Sequence, residues 1–168
     1  NEVISDIHLG DWGMPIAQII TYLENNNIDV NTLDSSQLEV IYPKASEEYK
    51  ENLEFKNRAQ EINKLLNNND EDLLKIWSSI KEISIASLKE NFNLLGHNFD
   101  YWLGESDVNN LIPSMIESLI KNKKVKDDNG ALISAEDTEP KILITKSDGS
   151  YLYITTDLAT ILYRQKNI

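Results

Sequence analysis

The chain has 168 residues, 40% of them apolar, which is enough to bury the core of an ordinary domain. Its 16 basic and 28 acidic residues give a formal charge of −12, which argues against a broad phosphate-binding surface. The absence of cysteine excludes disulfides and thiolate-bound metals and fits a reducing, cytoplasmic location. No apolar run reaches the roughly 18 residues of a membrane span and no signal sequence opens the chain, so we expect no membrane association.

The first part of the chain predicts a strand, a tight turn and a helix. Residues 2–9 alternate as a strand does, and residues 10–13 read GDWG, with two glycines. Pro15 suits the first turn of a helix. The apolar residues that follow have helical spacing and are Ile16, Ile19, Ile20 and Leu23. Because the chain starts at Asn1 and stops in YRQKNI, we expect it to be a piece of a longer protein.

Residues 34–95 predict three helices, each with one apolar stripe that we assign to the core. The stripes are Leu38, Ile41, Tyr42 and Ala45; Phe55, Ala59, Ile62 and Leu66; and Leu73, Trp77, Ile80, Ser84 and Leu88. Pro43 is expected to kink or break the first helix. The NNND run at 67–70 is expected to separate the second helix from the third, which Asp70 or Asp72 would cap.

After Gly96 the pattern returns to short strands and helices. We expect a strand at 97–103, a helix near 107–121 with Pro113 in its first turns, and a hairpin at 124–134 that turns at Asn129-Gly130. A second hairpin is expected at 141–155, with Asp148-Gly149 at its tip, before a final helix that Asp157 opens.

This order of elements predicts an α/β framework with a helical insertion. The chain divides into a strand-turn-helix segment at 1–33, the insertion at 34–95 and an α/β segment at 96–168, all within one domain.

Ligands of open α/β sheets bind beyond the carboxyl ends of strands, and two acidic positions fit such a place. Asp157 either caps the helix it opens or points into a cleft as a buried anion, with the phenol of Tyr153 beside it, to hold a cation. Glu105 is either a surface acid in a turn or part of a site, with Ser106 or Asp107 capping the next helix.

The two histidines, His8 and His97, have no carboxylate at zinc-ligand spacing, so we expect no metal site. Asp11 and Trp12 are most simply a turn with an aromatic ring packed under it. No G-x-G-x-x-G, Walker or G-x-S-x-G sequence occurs. The residues alone therefore support an α/β ligand-binding fragment whose acids suit a cation.

Several strings of the sequence occur together in one known family. In chain order they are HLGDWG, IYPKASEE, IWSSIKEIS, FDYWLGES, DDNGALI and KSDGSYLYITTDLATILYR. In this order and at these spacings, the chain resembles the catalytic domain of arginyl-tRNA synthetases over essentially its whole length.

The resemblance implies part of a Rossmann-type class I synthetase that joins arginine to ATP, with Mg²⁺ expected, and passes the arginyl group to tRNA(Arg). It implies no permanently bound cofactor. The HIGH-type and KMSKS-type motifs of the family are absent from residues 1–168, so no catalytic residue is assigned and the fragment alone is expected to be inactive. We expect the complete enzyme to be a monomer that contacts tRNA mostly through other domains.

The family's pattern carries over to three residues of a pocket for the arginine side chain. Tyr153 and Asp157 match its Y-x-T-x-D motif, which holds the guanidinium, and Glu105 matches the glutamate of GES. One departure is Met14-Pro15, where members often carry glutamine, so a role for that glutamine does not transfer.

Two other functions stay open on the sequence. One is a non-catalytic module, derived from a synthetase, that binds arginine or a partner protein. The other is a nucleotidyltransferase with a Rossmann core and a different substrate, whose pocket would lack the converging acids.

Overall fold

The structure, a computed structural model, describes residues 3–136, 140–147 and 149–167. The strands are β1 (Asp6–Leu9), β2 (Tyr101–Gly104), β3 (Val125–Asp128), β4 (Ala131–Ser134) and β5 (Leu143–Thr145). The α-helices are α1 (Met14–Asn25), α2 (Ser35–Glu51), α3 (Leu53–Asn67), α4 (Glu71–Leu94), α5 (Glu105–Val108), α6 (Ile112–Lys121) and α7 (Tyr153–Asn167). Short 3₁₀ helices occupy Val30–Thr32 and Asn109–Leu111.

The chain folds into two compact units, one formed by residues 1–10 and 100–168 and the other by residues 11–99. We call them the sheet unit and the helical unit and describe each by itself. Helix α1 belongs to the helical unit, where it packs against α2 and α3. The predicted division of the chain into segments 1–33, 34–95 and 96–168 stays a prediction.

The sheet unit contains a parallel pair of strands and a small antiparallel sheet. β1 and β2 run parallel, with His8 opposite Leu103 and Leu9 opposite Gly104. β3, β4 and β5 follow one another in an antiparallel sheet. Parallel strands need a long crossover, which is typical of α/β folds, and here the crossover is the helical unit. The predicted α/β class is confirmed.

The two predicted hairpins have different outcomes. Asn129 and Gly130 have φ values of 57° and 86°, as the tight turn between β3 and β4 requires. The second hairpin is reduced to β5 and a single bridge between Thr145 and Tyr151. Gly149 has a φ of 80° in its turn, and Asp148 lies outside the described residues.

A polar link joins the segments that lead into β1 and β2. The Asp100 carboxylate accepts hydrogen bonds from the backbone N–H and the hydroxyl of Ser5, each at 2.8 Å, and the Asp100 N–H donates to the Ser5 carbonyl at 2.9 Å. The Ser5 backbone N–H, followed by its hydroxyl, holds the pKa of Asp100 below its usual value of 3.8.

This link predicts a pH-dependent contribution to stability. Because the pKa of Asp100 is lower in the folded chain, the link stabilises the fold above the unfolded pKa, at roughly pH 4, and is lost as pH falls through the folded pKa. Asp100→Asn should therefore lower the urea midpoint more at pH 6 than at pH 3. An equal loss at both pH values would show that the carboxylate charge is not involved.

The helical unit buries the predicted apolar stripes. Ile20 and Ile62 are completely buried, and Phe55 and Leu66 are 1% exposed. Trp77, Ser84 and Leu88 are half-buried, and Tyr42 is exposed, at 48%. Of the predicted kink or break at Pro43, the break is wrong, because α2 continues to Glu51, and the kink stays a prediction. One missing N–H does not end a helix whose buried residues Leu38, Ile41 and Ala45 lie on both sides of the proline.

The GDWG segment is held by α3 and α4 more firmly than a simple turn requires. Trp12 packs edge-on against Trp77, with ring centroids 5.2 Å apart, and donates from Nε1 to Asn67 at 2.9 Å. Asp11 is buried, forms a 2.6 Å ion pair with Lys81, and accepts at its carbonyl from Trp77 Nε1 at 2.7 Å. The predicted aromatic packing is confirmed, and the ion pair was not foreseen.

Side-chain caps set the ends of the helices in this unit. Asp70, rather than Asp72, caps α4 by accepting from the N–H of Leu73. Asn52 stands between α2 and α3, and its Oδ1 accepts from the N–H groups of Glu54 and Phe55 at 2.9 and 3.2 Å.

Asn52→Ala should lower the free energy of unfolding by about 0.5–2 kcal/mol, because it leaves two N–H groups of α3 without their acceptor. Asn52→Asp, which keeps a capping oxygen, is the matched control. Denaturant unfolding followed by circular dichroism measures both. Equal losses in the two variants would contradict a capping role.

Candidate functional site

The candidate site lies where the parallel strands of the sheet unit end. β2 stops at Gly104 and the chain enters α5 at Glu105, so Glu105 stands immediately beyond a carboxyl strand end, where ligands of such sheets bind. The single helix predicted near 107–121 is wrong, because α5, the 3₁₀ helix at Asn109–Leu111 and α6 occupy this stretch, and α5 begins two residues earlier than predicted. Gly104 occupies the N-cap position, and Asp107 accepts from the Gly104 N–H at 2.7 Å. Neither Ser106 nor Asp107 is the cap.

Helix α7 lies along the same strands with one polar face. Three of its residues, spaced by four, contact the strands or the residue that follows them, as expected for one face of a helix. The contacts are Thr156 Oγ1 to Glu105 Oε1 at 3.3 Å, Thr160 Oγ1 to His8 Nδ1 at 3.4 Å, and Arg164 Nη2 to Asp6 Oδ2 at 2.6 Å. The first turns of α7 therefore lie at the carboxyl end of the strand pair.

The predicted boundary between the last strand and α7 is wrong. The helix starts at Tyr153, and the Leu152 carbonyl accepts from the N–H groups of Thr155 and Thr156 at 2.9 and 3.3 Å. The Thr155 hydroxyl, which is completely buried, donates to the Ile144 carbonyl on β5. This contact fixes the first turn before Asp157 is reached, so Asp157 is not a helix cap.

The prediction of a buried anion at Asp157 is also wrong. The Asp157 side chain is exposed, and Tyr153 is 78% exposed. Because they are four residues apart on one helix, both side chains project from the same face. The acid and the phenol are therefore side by side and open to a ligand.

Thr156 connects this face to Glu105. Its Oγ1 lies 3.3 Å from Glu105 Oε1 and donates to the Tyr153 carbonyl at 2.9 Å. Glu105 therefore reaches α7 at the residue next to Asp157, although it lies 51 positions from Thr156 in the sequence. The three predicted pocket residues are brought to one region, and their role as arginine ligands stays a prediction.

Sequence reasoning missed the threonines that hold the site. Thr156 is 8% exposed and Thr160 is 2% exposed, and Thr160 donates to the Thr156 carbonyl at 2.8 Å. His8 is half-buried, and its Nε2 is enclosed without a hydrogen-bond partner. The signal available in the sequence was the spacing of Thr156, Thr160 and Arg164 by four residues.

This arrangement suits recognition of a cation. Two carboxylates and a phenol lie at the end of a sheet, where a planar guanidinium can be bound through paired charge-assisted hydrogen bonds. Among residues 3–136, 140–147 and 149–167, no group of His, Asp or Glu side chains is placed to hold a metal ion. The helices of the described part of the chain include none with the length and apolarity to cross a bilayer.

The family model for the catalytic domain of class I tRNA synthetases of the R type matches residues 1–168. The chain belongs to this family.

The similar proteins named individually are arginine–tRNA ligases. The enzyme of Agathobacter rectalis is 36% identical over 186 residues, which cover 99% of the chain and 31% of the relative. The enzyme of Alkaliphilus oremlandii is 34% identical over 184 residues, with 98% and 31% covered. The chain thus spans about a third of the length of these curated relatives.

Solved structures of arginyl-tRNA synthetases have the same fold. The Plasmodium falciparum enzyme superposes with a TM-score of 0.79 at 27% identity, over 96% of the chain and 27% of that protein. The Thermus thermophilus enzyme gives a TM-score of 0.63 over 96% of the chain and 29% of that protein. At 17% identity, the second likeness concerns the fold alone.

Proposed function

We propose that the complete protein is an arginine–tRNA ligase and that this chain supplies its pocket for the arginine side chain. The family match over residues 1–168 supports the activity. The observation that carries the pocket assignment is the contact of Glu105 with Thr156, which lies beside Asp157 on α7.

The pocket chemistry follows from the charge and shape of arginine. Guanidinium is planar, stays protonated and presents several N–H donors, so a carboxylate can accept two hydrogen bonds from it. Asp157 provides this acceptor on the exposed face of α7, Tyr153 stands beside it to orient or stack on the group, and Glu105 adds a second negative charge. Helix and strand-end positions keep the three groups in place.

The reaction uses ATP as the second substrate, accompanied by Mg²⁺. An oxygen of the arginine carboxylate attacks the α-phosphorus, a P–O bond forms, and the bond to pyrophosphate breaks. The 2′- or 3′-hydroxyl of the terminal tRNA adenosine then attacks the arginyl carbonyl and releases AMP. We assign to residues 1–168 the selection of arginine in the first step, and we propose a cytoplasmic, monomeric enzyme.

The direct test is ATP–pyrophosphate exchange by the complete protein with tRNA present and each of the twenty amino acids supplied in turn. We expect exchange with arginine and none above the blank with the others. Exchange with a different amino acid would overturn the proposal. Binding of arginine without any exchange or tRNA charging would favour a non-catalytic module instead.

A further inference from the structure

Lys123 has a backbone conformation that lysine rarely adopts. Among the described residues, four that are not glycine have positive φ: three are asparagines and the fourth is Lys123, at 55°. Asparagine tolerates this left-handed region well, whereas longer side chains are disfavoured there. Lysine is thus the unusual residue in this group.

The conformation ends helix α6. The N–H of Lys123 donates to the Ile120 carbonyl at 3.0 Å, and the N–H of Lys124 donates to the Leu119 carbonyl at 2.9 Å. These two bonds define a Schellman motif, in which Lys123 holds the position where glycine is favoured, with asparagine second. A lysine here lowers stability relative to glycine, so its charge is expected to contribute something other than stability.

Lys123 belongs to the densest run of lysines in an acidic chain. Four exposed lysines fall within six residues of a protein with a net charge of −12. We call this group the basic turn: Lys121, Lys123, Lys124 and Lys126. In residues 3–136, 140–147 and 149–167, no salt bridge involves any of the four.

The two acids that follow the basic turn in the sequence have other partners. Asp128 pairs with Lys141 at 3.6 Å, and Asp127 faces the Gly130 N–H at 3.5 Å in the β3–β4 turn. Stabilisation of the helix dipole needs a cation within the last turn of α6, and Lys121 already provides it. The other three ammonium groups lie beyond that turn and stay in solvent.

We propose that the basic turn binds the phosphate backbone of tRNA, the nucleic-acid substrate of the proposed ligase, on whose activity this inference rests. Ammonium groups bind phosphates without reading sequence and displace condensed counterions, so they position an RNA. The basic turn is a local exception to the chain's overall repulsion of phosphate. Lys123 adds a charge to this contact but lowers stability, because its backbone is in the left-handed region.

The test compares Lys123→Gly with wild type in the complete protein. Glycine should raise the melting temperature, because it relieves the left-handed strain. The dissociation constant for tRNA should increase about fivefold at 0.1 M salt, and the slope of log affinity against log salt concentration should decrease in magnitude by roughly 0.7–0.9. Lys44→Ser, at an exposed lysine of the helical unit, is the charge-matched control and should leave tRNA binding unchanged.

Higher stability with unchanged tRNA affinity and salt slope would overturn the inference, as would an equal loss of affinity in Lys44→Ser. Charging of tRNA with arginine by the wild-type protein, measured in the same experiment, separates this inference from the proposed function. If wild type charges tRNA and Lys123→Gly binds it normally, only the basic turn is wrong. If wild type does not charge tRNA, the proposed function itself fails.

Discussion

Phe55→Ala is expected to lower the free energy of unfolding of the helical unit by about 3–5 kcal/mol. The ring is 1% exposed and packs with Ala45 and Ala59. Alanine side chains have no rotamers with which to fill the cavity that loss of the ring would leave. Its loss combines the lost transfer free energy with that of a cavity. Urea unfolding followed by far-ultraviolet circular dichroism measures the change.

Leu53→Ala provides the matched control on the same helix. Leu53 is 73% exposed, so its truncation should change the free energy of unfolding by less than about 0.5 kcal/mol. Comparable losses in the two variants would contradict the assignment of Phe55 to the core.

For the proposed ligase activity of the complete protein, Asp157→Asn is expected to reduce kcat/KM for arginine at least about tenfold. A hydrogen bond to a charged group contributes roughly 1.5–3 kcal/mol, and a guanidinium that loses its counter-charge costs more. Because Asp157 is exposed and lies inside α7 rather than at its cap, thermal stability should change little. Steady-state exchange and thermal unfolding measure the two effects.

Two controls make this result specific. Glu117→Gln removes an exposed carboxylate from α6 of the same unit and should leave arginine use unchanged. Citrulline, which is neutral and almost isosteric with arginine, should compete poorly in wild type and lose less of its own binding in Asp157→Asn. Unfolding of Asp157→Asn with normal arginine affinity would assign a structural role instead.

The helices of the helical unit were predictable because short-range sequence patterns specify them. The buried stripe of α3, from Phe55 to Leu66, repeats at the spacing of one helix face, and the asparagines and Asp70 after it give a separator and a cap. Pro43 does not break α2, because its local preference is outweighed by the burial of Leu38, Ile41 and Ala45. Tertiary packing overrides propensity in this way throughout folded proteins.

The start of α7 was not predictable, because a distant contact decides it. YLYIT has the composition of a strand, but the Thr155 hydroxyl reaches the Ile144 carbonyl, 11 residues earlier in the chain, and the helix begins at Tyr153. The Thr160–His8 contact spans 152 positions, and no periodicity in a single sequence reports such a pair. The family motif predicts Tyr153 and Asp157 as pocket residues, whereas the fold was needed to show that Glu105 contacts Thr156, the residue before Asp157.

Glu105, Tyr153 and Asp157 are proposed to hold the arginine side chain. A crystal structure of the complete protein with bound arginine tests it most directly. We expect guanidinium nitrogens about 2.7–2.9 Å from carboxylate oxygens of Asp157, with Glu105 in the same pocket and the Tyr153 ring beside the guanidinium plane. Arginine bound by other residues, with Asp157 and Tyr153 still exposed to solvent, would contradict the claim.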